Sequence, residues 1–270
     1  MKPLSHRFRI LILPIVAVLS VLTTGCGRGK TSVTLAGSTA FQPFAEKLAE
    51  RYMLIHPEIG VTVQGGGSAV GIQSALSGAA DIGMADLVRL PAEAAELQPV
   101  TVARDGIVIV VHPSNPLSGL TMDQTRGLFC GKIRNWNELG GPDAAVTVVS
   151  REAGSGTRTS FEQIVGDIKL TGDAIIQDSN GTIRETVAND ASAVGYLSHG
   201  LLSEKIKALQ VDGADCTTEA IQAGRYPLVR PIFLLTRGAP TGASAAFIEY
   251  VRSPDAQKVI GESGLIPAIQ

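Results

Sequence analysis

Aromatic residues make up only 4% of the 270-residue chain. Its core must therefore be assembled from Val, Ile, Leu and Ala, which suits α/β layers better than an aromatic-rich β-sandwich. The length fits one large domain or two modest ones. No run of Lys or Arg follows the N-terminus and the formal charge is −2, so the clustered cations that neutralise a nucleic-acid backbone are missing. The four histidines, His6, His56, His112 and His199, are scattered, and there is no C-x-x-C pair. Neither feature offers the ligand spacing of a zinc site. There is no internal repeat and no low-complexity linker.

The first 26 residues are built differently. Lys2, Arg7 and Arg9 precede an apolar run from Ile10 to Leu22 that is broken only by Pro14 and Ser20. The run is short for a membrane span and right for the h-region of a secretory signal. Leu22-Thr23-Thr24-Gly25-Cys26 follows, a small residue and then Cys, similar to a bacterial lipobox with Thr23 where Leu is usual. The expectation is a signal peptide over 1–26 with lipidation at Cys26. The alternative is an uncleaved N-terminal anchor. Both place the remainder outside the cytoplasm, in the periplasm or at the cell surface. Loss of three basic and no acidic residues takes the charge from −2 to −5. Cys130 and Cys216 remain, either as a disulfide or as two independent small hydrophobes.

After the leader, β-type runs alternate with helical patterns. Ser32 to Leu35, Gly60 to Gln64, Ala80 to Ala85, Asp105 to His112, Val146 to Ser150, Ala193 to Leu197, Ile206 to Val211 and Ile232 to Thr236 are predicted strands. Helices are predicted over Phe41 to Ile55, with Phe44, Leu48, Tyr52 and Ile55 on one face, and over Ser68 to Ser77, Thr121 to Phe129, Thr157 to Val165, Ser244 to Val251 and Asp255 to Ser263. The β-α-β-α-β order predicts a mostly parallel sheet with helices on both faces.

Three segments share one design, in which small hydroxyl and Gly residues sit where a strand turns into a helix. They are Leu35-Ala36-Gly37-Ser38-Thr39-Ala40-Phe41-Gln42-Pro43-Phe44, Val63-Gln64-Gly65-Gly66-Gly67-Ser68-Ala69-Val70-Gly71 and Val149-Ser150-Arg151-Glu152-Ala153-Gly154-Ser155-Gly156-Thr157-Arg158-Thr159-Ser160. A helix N-terminus exposes unpaired N–H groups and a partial positive charge. Gly lets an anion approach the backbone, and Ser or Thr adds a hydroxyl donor. Any one segment alone reads as ordinary helix capping. Three together, with Arg151 able to add a charge-assisted contact, point to binding of a small oxyanion. Asp86 closes the run Asp81-Ile82-Gly83-Met84-Ala85-Asp86. A carboxylate beside an anion site is costly unless the anion carries a proton for it to accept. Phosphate near neutral pH has such an O–H and sulfate does not, so this acid would discriminate between them.

The motifs GSTAFQPF, VQGGGSAVG, DIGMAD, GKIRNWNELGG, SREAGSGTRTSF, AVGYLS and YPLVRPIFLLT, in order from about residue 33 to 267, resemble the phosphate-specific substrate-binding proteins of bacterial ABC importers. The resemblance implies an α/β fold of two lobes, each a central, mostly parallel sheet with helices on both faces, hinged by crossing strands. Lobe I would be 31–103 plus 230–270, and lobe II 104–229. It implies binding of inorganic phosphate between the lobes without reaction, no cofactor or metal, and delivery to membrane permease subunits by a lipid-anchored monomer. The phosphate ligands it implies are Ser38, Thr39 and the backbone of Ala40, then Ser68, Asp86, Arg151, Ser155, Gly156 and Thr157. Ala153 stands where longer members carry an acid that holds the Arg, and the adjacent Glu152 is expected to point elsewhere.

Other functions fit less well. Neither Gly154-Ser155-Gly156 nor Gly67-Ser68 matches the G-x-S-x-G elbow of a hydrolase, and no His has a persuasive context for a base. Gly29-Lys30-Thr31 mimics the end of a phosphate loop, but Thr24 occupies its first Gly position and no strand precedes it. A binding protein for sulfate, molybdate or tungstate shares the helix-terminus chemistry, and a phosphate sensor or scavenger shares all of it. Trp136, Tyr196, Tyr226 and Pro227 read as packing residues, and Asn180-Gly181-Thr182 as a helix start facing the cleft.

Overall fold

Apolar runs punctuated by Gly, Ser and Pro alternate between extended and helical periods along the chain, and the structure follows that alternation. It is a computed structural model that describes residues 31–268. The leader-like segment, with Cys26, lies outside the described residues. The order begins with β1 (Thr31–Gly37), α1 (Gln42–Ile55), β2 (Ile59–Gln64), α2 (Ser68–Ser77), β3 (Ile82–Ala85) and β4 (Leu97–Val111). It continues with β5 (Gly119–Leu120), α3 (Met122–Phe129), β6 (Thr147–Arg151), α4 (Gly156–Ile164), β7 (Ile175–Gln177) and α5 (Asn180–Asn189). The last elements are β8 (Ala193–Ser198), β9 (Lys207–Val211), α6 (Thr218–Gln222), β10 (Val229–Arg237), α7 (Gly242–Arg252), α8 (Pro254–Glu262) and β11 (Ile266–Pro267).

The sheet order is β2-β1-β3-β10-β4-β8-β6-β7. The β1 pairings with β2 and β3 are parallel, as are the β6 pairings with β7 and β8. Between these blocks the sheet is antiparallel, through β10 with β3 and β4 and through β4 with β8. The expectation of a mostly parallel sheet thus holds for the flanks, and the centre makes the sheet mixed. Strand β4 is the cause. From Leu97 to Gly106 it pairs with β10 at nine positions, skipping Val102 at a bulge, and Ile107 to Val111 pair with β8. Its polar first half hides it from an apolar-run search, which finds only the second half.

The core divides accordingly. One apolar cluster gathers Ile107 to Val111 with Phe129, Trp136, Phe161, Ile183 and Tyr196. Another packs β1, α1 and β10 against Phe247, Val251 and Ile260. Helix α1 buries Phe44, Leu48 and Tyr52 as expected, with Ala45 and Ala49 between them. Ile55 is 61% exposed, because it ends the last turn, beyond the sheet that the face covers. Trp136 is fully buried and donates from Nε1 to the Ser192 carbonyl at 2.9 Å. Cys130 and Cys216 are both free thiols.

Candidate functional site

Four helix starts converge where the parallel strands end. Residues 38–41 lead from β1 into α1, Gly67 from β2 into α2, Ser155 from β6 into α4, and Ser179 from β7 into α5. Ser155 and Ser179 cap their helices, accepting from Arg158 N and Thr182 N. Ser38 Oγ is likewise used locally and accepts from Phe41 N at 3.0 Å. Gly67 has φ +88°, a conformation that glycine adopts without strain, and a Cβ there would stand 2.8 Å from Gly154 O. The second and third junctions are stitched together at this point, because Ala69 N donates to Gly154 O at 3.2 Å.

Asp86 lies at the middle of this convergence and is 1% exposed. Ser68 Oγ donates to its Oδ1 at 2.6 Å and also accepts from its backbone N at 3.1 Å. Thr157 Oγ1 donates to Oδ2 at 3.2 Å. Gly156 packs so closely that an added Cβ would lie 2.1 Å from Ser68 Oγ and 2.5 Å from Asp86 Oδ1. Gly156 and Thr157 open α4, where the N–H groups have no carbonyl within the helix to bond.

Arg151 ends β6, equally buried. Its Nη2 donates to Thr39 Oγ1 at 3.0 Å and to the Asp178 carbonyl at 3.1 Å. Glu152 grips the same guanidinium through Nε at 2.9 Å and Nη2 at 2.8 Å. This corrects the expectation that Glu152 points elsewhere. Side chains alternate only while the chain stays extended, and β6 stops at Arg151, so the turn brings Glu152 back alongside. Arg151 Nη1 has no partner among the described residues although it is buried, and so does Asn180 Nδ2 at the start of α5. Buried donors of this kind call for an acceptor.

Two further charges escape the sequence reading. Arg230 in β10 is fully buried, and its Nη1 forms an ion pair with Asp86 Oδ2. Its other edge grips Asp105 Oδ2, through Nη2 at 2.8 Å and Nε at 3.3 Å. Asp105 Oδ1 accepts from Ser198 Oγ at 2.9 Å. Burial pushes the Asp105 carboxyl up, while Arg230 and the Ser198 hydroxyl pull it back. A charged residue inside each apolar strand, Val229-Arg230-Pro231-Ile232 and Arg104-Asp105-Gly106-Ile107, was the available signal. Of the nine positions expected at the site, Thr39 contacts Arg151, Ser68 and Thr157 contact Asp86, Gly156 packs against Ser68 and Asp86, and Ser38, Ala40 and Ser155 lie in the adjoining turns.

Hydroxyls and helix N-termini gathered around a buried carboxylate and two buried arginines, at the ends of parallel strands, are the architecture of a ligand-binding protein. The chain belongs to the PBP superfamily domain family, whose profile matches residues 23–255. It is 33% identical over 241 residues to the phosphate-binding protein PstS of Bacillus subtilis, an alignment covering 87% of this chain and 80% of that one. Among solved structures it is similar to an ABC transporter substrate-binding protein of Clostridium perfringens with bound phosphate, at 36% identity and TM-score 0.84, covering 88% of this chain and 100% of that one. An ABC-type phosphate transport receptor of Vibrio cholerae is 38% identical with TM-score 0.74, covering 87% and 99%.

Proposed function

We propose that this chain binds inorganic phosphate at the Asp86–Arg151 site and delivers it to the permease subunits of an ABC importer, as a binding protein and not an enzyme. One observation carries the substrate: a buried carboxylate, Asp86, shares the site with a buried arginine whose Nη1 lacks a partner among the described residues. Arg151 favours an anion. Asp86 tolerates one only if the anion brings a proton for a carboxylate oxygen to accept, which phosphate does near neutral pH. Ser38, Thr39, Ala40, Ser68, Asp86, Arg151, Ser155, Gly156 and Thr157 form the ligand shell in this reading. Its relatives' names and the Clostridium complex with bound phosphate support it.

Residues 31–103 with 230–270 act as one lobe and 104–229 as the other, with β4 and β10 as the crossing strands. Hinge closure presents the loaded form to the permease. The protein is exported and works as a monomer, tethered through a lipid on Cys26. Cys26→Ser would abolish incorporation of labelled fatty acid. The substrate is tested by calorimetry on protein stripped of bound anion. Tight phosphate binding with no sulfate response is expected, and Asp86→Asn should erode that preference. Binding of sulfate or molybdate in place of phosphate would keep the fold and overturn the substrate.

A further inference from the structure

We propose that Arg230 is a positioning residue for anion selectivity: it holds Asp86 as an acceptor-only carboxylate, so that the site takes an oxyanion bearing a proton and refuses one without. The proposal rests on the phosphate reading above and adds a residue that makes the discrimination possible.

Among the described residues, the polar side chains that reach the Asp86 carboxylate all donate to it. Ser68 Oγ points a proton at Oδ1 at 2.6 Å, Thr157 Oγ1 points one at Oδ2 at 3.2 Å, and Arg230 Nη1 pairs with Oδ2. The backbone carbonyl of Asp86 accepts too, from Ser160 Oγ at 3.1 Å and Arg230 Nη1 at 3.4 Å. Of these donors only Arg230 is charged. It does not drift, because Asp105 faces it in the β4–β10 register and holds its far edge from a second side. Ser198 in turn anchors Asp105. One cation thus serves two buried carboxylates, and the guanidinium is turned so that one edge meets each.

A purely structural role explains this less well. Strands β4 and β10 already pair over nine positions, so they need no ionic stitch. A buried ion pair is in any case weak evidence for stability, because desolvation offsets its attraction. The Asp105 pair alone would satisfy that end of Arg230, and its Nη1 nevertheless reaches across to Asp86. Without the cation, Asp86 would face an incoming anion as a second uncompensated negative charge in a dry site. Its oxygens would then be held only by the neutral hydroxyls of Ser68 and Thr157 among the described contacts. A carboxylate held only by those hydroxyls presents its acceptor oxygen to the phosphate O–H in a less fixed direction, which lessens the advantage of a protonated anion over an unprotonated one.

The test is the ratio of sulfate to phosphate Kd, measured by calorimetry on stripped protein, for the native chain and for Arg230→Met. The variant should lose selectivity by about tenfold or more, with phosphate weakened more than sulfate. A structural role would weaken both anions together and leave the ratio alone, and that result would overturn the proposal. If Arg230→Met does not fold, Arg230→Met with Asp105→Leu removes the opposite charge as well and keeps the comparison. On native protein loaded with phosphate, the carboxyl carbon resonance of Asp86, assigned by its loss in Asp86→Asn, should be that of an ionised acid. A protonated Asp86 there would also overturn the proposal. A native chain that fails to prefer phosphate refutes the substrate reading itself, whereas a selective native chain with an equally selective Arg230→Met refutes only the role of Arg230.

Discussion

Gly156 and Gly154 stand two residues apart in the same turn and face opposite constraints. A Cβ on Gly156 would meet Ser68 Oγ at 2.1 Å, Asp86 Oδ1 at 2.5 Å and Asp86 O at 2.8 Å. None of these atoms can retreat cheaply, because Ser68 and Asp86 are bonded to each other. A Cβ on Gly154 meets only the Ala69 methyl, at an ordinary 3.5 Å. Gly156→Ala should therefore push Asp86 and Ser68 apart at a cost of about 2–3 kcal/mol, or about a hundredfold in phosphate Kd if the strain falls on the loaded site. Gly154→Ala should titrate like the native chain. Equal affinity for the two variants would mean that the Gly156 turn does not shape the anion site.

The β6–α4 connection shows what an element contributes beyond its residues. Arg151 enters the site because β6 ends there, and Glu152 holds it because the turn begins there. Glu152→Ala would leave Arg151 with Thr39 Oγ1 and the Asp178 carbonyl, both on Nη2, and nothing on Nε. Phosphate Kd should then rise by about tenfold, the worth of one charge-assisted hydrogen bond, and Glu152→Gln should recover part of it by keeping one acceptor oxygen. An unchanged Kd in Glu152→Ala would show that the other contacts orient Arg151 unaided. The junctions themselves were legible in the sequence, since capping chemistry is local: Ser155 and the Gly-rich turns announce their helices within four residues. The start of α2 at Ser68 was read correctly for the same reason. The Asp86–Arg230–Asp105 arrangement was not legible. It depends on the register of two strands whose charged residues lie 125 positions apart, and no local pattern encodes that register. The first half of β4 was missed for a related reason: its exposed polar residues on one side break the apolar run that marks a strand.

At the scale of the whole molecule, the site is too well covered to fill by diffusion through a rigid structure. Ser68, Asp86, Arg151, Ser155 and Thr157 are each 1% exposed. Under the proposed two-lobe reading an anion enters when the lobes separate, with β4 and β10 as the strands that cross between them. The proposed ligand groups come from two blocks of the sheet: Thr39, Ser68 and Asp86 from the β1–β3 block, Arg151, Gly156 and Thr157 from the β6 block. Ligand bound only to the closed native state must stabilise it. At a phosphate concentration about a hundred times Kd the gain is about 2.7 kcal/mol. For a domain of this size each kcal/mol raises Tm by about 2–4 °C, so phosphate should raise the melting temperature by roughly 5–10 °C. Sulfate at the same concentration should leave it in place, and Asp86→Asn should shrink the phosphate shift. Closure should register independently as a smaller radius of gyration by small-angle scattering when phosphate is added to stripped protein. A thermal shift without compaction would place the anion in a preformed pocket and remove the hinge from the mechanism, while leaving the assignment of the ligand intact.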